Sequence, residues 1–183
     1  MNQENQMPKP IELKVDLRAG PEVERVRRLC RNGFAQKGFF LVNVPMLLLA
    51  GVKVTHLNPD SATTTVPYRW MNRNPFKSMY FAVQSMAAEL STAMLCIPAL
   101  RASPVPVASL ILDVQADFVK KATAATTFTC EDGEAATAAV EQAIQTGEAV
   151  TFKASTEGTM PDGTVVSRFV FTWSFRARLE ETD

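Results

Sequence analysis

Apolar positions recur along this chain at two periods, and the change from one to the other marks out its elements. Val23, Val26 and Leu29 or Cys30 repeat at helical spacing after Pro21, which suits a first helical position. Glu22 and Glu24 fall in the first turn, Arg27, Arg28 and Arg31 fall late, and Gly33 can stop the helix. A second short helix is predicted over 42–50, closed by Gly51. Then the period becomes two. Val52, Val54 and His56 alternate with Lys53 and Thr55, Asn58-Pro59-Asp60-Ser61 is a turn signal, and 63–68 is β-branched. This is a hairpin, with Pro67 marking a strand end or edge. Asn72, Arg73, Asn74 and Pro75 form a polar loop.

The stretch 78–97 is predicted as one long helix. Met79, Val83, Met86, Leu90 and Met94 line one face, while Phe81, Ala88 and Leu95 make the opposite face apolar too. A helix apolar nearly all round must be enclosed by the rest of the protein, and Pro98 is expected to end it. A linker over 103–106 leads to a long strand over 107–121. There Leu110, Leu112, Val114, Ala116 and Phe118 are expected on one face, with Ser109, Asp113, Gln115 and Asp117 on the other. A strand near 126–130 follows, then an Ala-rich helix over 134–146, capped by Asp132 and closed by Gly147. Residues 128–151 hold five acids and no Lys or Arg, which reads as a solvated surface. Two last strands, 150–155 and 164–178, flank the turn Met160-Pro161-Asp162-Gly163. The class is α+β: an antiparallel sheet of about six strands around one enclosed helix.

Composition narrows the function classes. A length of 183 residues predicts one domain. Lys plus Arg is 19 and Asp plus Glu is 19, so no cationic surplus points to nucleic acid or a polybasic membrane contact, and little net repulsion opposes an oligomer. Three widely spaced cysteines, Cys30, Cys96 and Cys130, predict neither a disulfide framework nor a zinc site, and fit a reducing cytoplasm. The opening MNQENQMPKP has no apolar signal region. The apolar stretches 39–51 and 78–100 are interrupted by Asn43 and Pro45, and by Gln84, Glu89 and Pro98, so they read as buried helices and not as membrane spans. No GxSxG, P-loop or GxGxxG occurs, and the single histidine, His56, reads as a half-buried strand residue. No metal or cofactor is called for.

Two features carry possible chemistry. Glu89 is the only charged side chain between Lys77 and Arg101, and it shares a helical stripe with Ser85, Thr92 and Cys96. A carboxylate there either has partners or has a raised pKa. In the first case it is a structural buried acid; in the second it is a general base for water. The second feature is the helix start, where free N–H groups near Ser78, Tyr80, Phe81 and Ala82 can hold a carbonyl oxygen or oxyanion. Asn74, just upstream, either orients a water or substrate carbonyl or holds the loop; Tyr80 and Phe81 also fit plain core packing.

These residues resemble the hotdog fold. In its thioesterases related to phenylacetyl-CoA thioesterases, an Asn is followed six residues later by His-Gly-Gly, with an acid nine residues beyond that His. Here Asn74 is followed six residues later by Tyr80, and Glu89 stands nine beyond it. Tyr80-Phe81-Ala82 takes the place of His-Gly-Gly. The runs Ser78-Met79-Tyr80-Phe81-Ala82 and Met86-Ala87-Ala88-Glu89-Leu90 are similar to the DUF4442 branch of the fold. The resemblance covers about 42–178. It implies a sheet wrapped around the 78–97 helix, a homodimer or dimer of dimers, and acyl-CoA-like thioester sites at the subunit interface. Glu89 would activate water or attack the thioester carbonyl. Asn74 would place water or carbonyl, and the N–H groups near Tyr80–Ala82 would polarise the oxygen. Arg69, Arg73, Lys120 and Lys121 are candidates for pantetheine-phosphate contact. Losing both glycines puts a side chain where the closest backbone approach is wanted. That leaves two readings: an acyl-CoA thioesterase, or a non-catalytic acyl-binding or structural protein of the same fold.

Overall fold

The computed structural model describes residues 16–178; most of the polar lead read over 1–20 lies outside them. Three helices come first: α1 (Pro21–Arg31), α2 (Gly33–Asn43) and α3 (Pro45–Ala50). The break after α1 is made by Asn32, whose side-chain oxygen accepts hydrogen bonds from the N–H groups of Phe34 and Ala35 and so starts a new helix. Gly33 is thus the first residue of α2, a helix the sequence reading left out, and not merely the stop of α1. Gly51 closes α3 in the left-handed conformation at φ 73°.

Six strands make one antiparallel sheet in the order β1 (Lys53–Leu57), β2 (Ala62–Val66), β4 (Thr126–Cys130), β5 (Val150–Thr159), β6 (Val165–Ala177), β3 (Val107–Phe118). It wraps around α4 (Phe81–Ala102), and α5 (Gly133–Thr146), inserted between β4 and β5, packs on α4 and the sheet. This is the expected hotdog arrangement. The enclosed helix is stitched to the sheet by polar bonds as well as apolar packing. Thr64 on β2 donates its hydroxyl to the Ala87 carbonyl at 2.6 Å, Ser91 bonds Thr156 on β5 at 2.9 Å, and Ser167 on β6 donates to Gln84 Oε1 at 2.9 Å. Each buried polar group on α4 thereby fixes its position against a particular strand.

The boundaries of α4 correct the sequence reading twice. Helix geometry begins at Phe81 and not at 78, because the preceding residues are held in a loop by Asn74. The helix also runs through Pro98 to Ala102. Pro98 removes one helical hydrogen bond, but Met94, Leu95, Cys96 and Ala99 around it are buried in the core, and their burial outweighs that loss. The long strand is corrected as well. A bulge between Ile111 and Asp113 shifts its register against β6. As a result Val114, Ala116 and Phe118 pair with the inward-facing Phe171, Phe169 and Ser167, while Leu110 pairs with Ser174 on the opposite face. The five apolar residues do not share one side. Finally, Asp132 makes no cap bond to α5; its carboxylate accepts the Ser155 N–H at 2.7 Å and the Cys130 thiol at 3.6 Å, tying β5 to the end of β4.

Candidate active site at the start of the central helix

Residues 72–80 form a tight loop built around Asn74. Its Oδ1 accepts the N–H groups of Phe76 (3.0 Å) and Ser78 (3.1 Å), and its own N–H donates to the Ser78 carbonyl at 2.8 Å. Lys77 takes the left-handed conformation at φ 58° to let the loop close. Two N–H donors on the oxygen fix the orientation of the amide, so Nδ2 is the face of Asn74 that remains free. The loop is pinned from both sides. Ser78 Oγ accepts the Ala122 N–H at 3.1 Å, Met79 N–H donates to the Ala122 carbonyl at 2.8 Å, and Tyr80 N–H donates to the Asn72 carbonyl at 2.7 Å.

This pinning sorts the proposed oxyanion donors. The N–H groups of Ser78 and Tyr80 are engaged within the loop and do not point out of the helix end. The N–H groups of Phe81 and Ala82 have no partner among the described residues, so they are the donors the helix start offers. The rings of Tyr80 and Phe81 stand edge to face at 4.9 Å, both roughly half exposed, and Phe81 also meets Phe118 at the end of β3 at 6.4 Å. They are therefore not core packing.

Glu89 lies two turns into α4 and is half-buried. None of its stripe-mates bonds its carboxylate. Ser85 donates to the Phe81 carbonyl, Thr92 to the backbone carbonyl of Glu89, and the Cys96 thiol to the Thr92 carbonyl. Thr92 is held in turn by the Trp173 indole N–H at 3.1 Å. The Glu89 carboxylate has no hydrogen-bond or ion-pair partner among the described residues, and burial pushes its pKa up from 4.5 to about 7. A half-buried carboxylate that is half ionised at neutral pH can take a proton from water. Its stripe faces β6 and β3: Phe81 touches Phe118, Thr92 touches Trp173, and between them the inward side of β3 at Val114 and Ala116 stays exposed.

Glu89 and the free N–H groups are far apart on the same helix. Eight residues at about 1.5 Å each place them about 12 Å apart along the axis. Of the other candidates, Arg69 donates to the Leu49 carbonyl, Arg73 lies over the Tyr68 ring at 5.4 Å, and Lys121 donates to the Phe76 carbonyl at 3.2 Å. His56 is exposed and bonded to Asn58 at 3.0 Å, and is not half-buried as expected. The residue that sequence reasoning missed is Asn72. It is buried, and its Nδ2 donates to the carbonyls of Ala50 and Pro67 while its carbonyl takes the Tyr80 N–H. An Asn in a run of polar loop residues gave no sign that it alone would turn inward.

The chain resembles several solved structures of one fold. A Pseudomonas aeruginosa protein of unknown function, described as a probable thioesterase, superposes with a TM-score of 0.66 at 17% identity, over 89% of this chain and all of that one. A thioesterase from Haemophilus influenzae gives 0.58 at 14% identity, over 91% of this chain and 98% of its own. A protein of unknown function from Chlorobaculum tepidum gives 0.67 at 10% identity, over 85% and 94%. No curated protein matches the chain. At these identities the likeness is one of fold. The family model described as "Domain of unknown function (DUF4442)" matches residues 34–175, so the chain belongs to the DUF4442 family, and its fold is the hotdog fold.

Proposed function

We propose that this protein hydrolyses an acyl-CoA or related thioester, with Glu89 as the general base. The observation that carries the reading is the Glu89 carboxylate on the open side of the central helix, without a partner among the described residues and with its pKa pushed by burial to about 7. Ionised Glu89 takes a proton from a water; the water oxygen bonds to the thioester carbonyl carbon; the carbonyl oxygen becomes an oxyanion held by backbone N–H groups. Collapse of the tetrahedral species breaks the C–S bond, and the proton on Glu89 returns to the leaving thiolate. Asn74 donates through Nδ2, which has no partner among the described residues, to an oxygen of the substrate.

One chain cannot complete this site. The base and the oxyanion donors must lie within about 3 Å of groups on the same carbonyl carbon, yet they are about 12 Å apart along α4. A homodimer resolves this if Glu89 of one protomer works with the N–H groups of the partner subunit's Phe81 and the partner subunit's Ala82. The free edge of β3 and its exposed inward residues Val114, Ala116 and Phe118 are the surface such a dimer would cover. The unit is one hotdog domain, and its free cysteines fit a cytoplasmic setting.

The test is release of thiol from short, medium, long and aryl acyl-CoAs by the wild type and by Glu89→Gln, with a substrate-free blank for the protein's own cysteines. Turnover by the wild type and its loss in the variant support the reading. A specific observation favours one alternative: the Tyr80 and Phe81 rings crowd the helix start where a substrate oxygen must approach. Acyl-CoA binding without turnover in either protein would make this an acyl-binding member of the fold.

A further inference from the structure

A cavity of about 260 Å³ lies between α1, α2 and the C-terminal half of α4, apart from the site just described. Its wall is apolar: Val26 and Leu29 from α1, Phe39 and Phe40 from α2, Met94 and Ile97 from α4. Gln36 also borders it, but its amide is fully engaged, donating to the carbonyls of Val54 and Cys30 and accepting the Val54 N–H. The charged groups on its lining are Glu22, Arg25 and Arg101. Arg25 and Glu22 approach each other only at 3.9 Å, and Arg101 has no ion-pair partner among the described residues. The rim therefore carries a net positive charge over an apolar interior.

The cavity does not open on Glu89. Met94 is the lining residue of α4 nearest to it in sequence, five residues on, which turns it about 140° around the helix axis and moves it about 7.5 Å along that axis. Neither Asn74, Tyr80, Phe81 nor Glu89 borders the space.

We propose that this cavity is a binding site for a medium-chain fatty acid, its alkyl chain among the apolar walls and its carboxylate against Arg101 and Arg25. The volume bounds the length: at about 30 Å³ for a group the size of a water, about 260 Å³ leaves room for about eight to ten such groups. The sign of the rim sets the head group: two guanidiniums against one carboxylate favour an acid over an alcohol or an amine. This inference does not depend on the catalytic reading.

Titration calorimetry with hexanoate, octanoate, decanoate and decanol tests it on the full chain. The expected result is saturable binding of one fatty acid per chain, tightening about fourfold per methylene up to decanoate, with decanol at least tenfold weaker. Arg101→Glu, an exposed substitution that leaves the walls intact, weakens decanoate at least tenfold, and Met94→Trp, which fills the space, abolishes binding in protein that circular dichroism shows to be folded. Glu89→Gln binds decanoate as the wild type does. Absence of saturable binding by the wild type, or decanoate affinity unmoved by Arg101→Glu, overturns the proposal. So does binding lost in Glu89→Gln, since it places the ligand at the other site. If no acyl-CoA is hydrolysed while decanoate binds as described, the catalytic reading fails and this one stands.

Discussion

Glu89 concentrates the account in one side chain, and its titration makes two separable predictions. As a base it must be ionised, so kcat/KM for thioester hydrolysis should rise with pH and level off with an apparent pKa near 7. A profile flat from pH 5 to 9 would remove Glu89 from the proton-transfer step. Its effect on stability runs the other way. The carboxyl titrates at 4.5 when unfolded and at about 7 when folded. Between those values the folded chain holds a proton the unfolded chain has released, so stability falls as pH rises through that window, by as much as about 3 kcal/mol. Glu89→Gln removes this cost. Its melting temperature should exceed the wild type's at pH 8 and match it near pH 4.5. A variant less stable than the wild type at pH 8 would show that the carboxylate has a structural partner.

At the scale of elements, much of the fold was legible because burial enforces a period. The β1–β2 hairpin, α5 and the β5–β6 pair lie close to where alternation and turn residues put them. What was not legible depended on side chains that replace backbone partners. Asn32 starts α2 in a stretch where no helix was expected, and Asn74 holds 78–80, read as the first turn of the central helix, in a loop. The β3 bulge is a different case, a backbone register shift: nothing in an alternating apolar run says where one extra residue will reverse the faces. The candidate site was legible as Asn74 and Glu89 in spacing, but which N–H groups are free depended on bonds within the 72–80 loop and on contacts with Ala122, remote in sequence. One contact between elements is tight enough to test. A Cβ on Gly133, at the start of α5, would sit 2.1 Å from the backbone carbonyl oxygen of Pro59 in the β1–β2 turn. Gly133→Ala should therefore cost about 2–3 kcal/mol in urea unfolding. A cost under about 0.5 kcal/mol would show that α5 is free to shift away from the hairpin.

Among the described residues, an antiparallel sheet closes around one helix and is left open along β3. The other edge strand, β1, has α1 packed against it; β3 offers an unpaired edge with Val114 and Phe118 each 48% exposed on its inward side. Apolar residues on a free edge call for a cover. Ala116→Arg, in the middle of that face, should turn a dimer in analytical ultracentrifugation into a monomer and abolish turnover with it. A dimer unaffected by this change would place the interface elsewhere.

If the base and the oxyanion donors of each site come from different protomers, two inactive variants restore activity when mixed. Glu89→Gln removes the base. Phe81→Pro removes one donor while suiting the helix start, because Pro is favoured at a first helical position and Tyr80 before it already has φ −62° and ψ 134°. After unfolding and joint refolding, half the dimers contain one of each chain and carry one intact site of two. The account predicts about a quarter of the wild-type acyl-CoA hydrolysis from two parents that each have almost none. A mixture as inactive as its parents, alongside an active wild type, would contradict it.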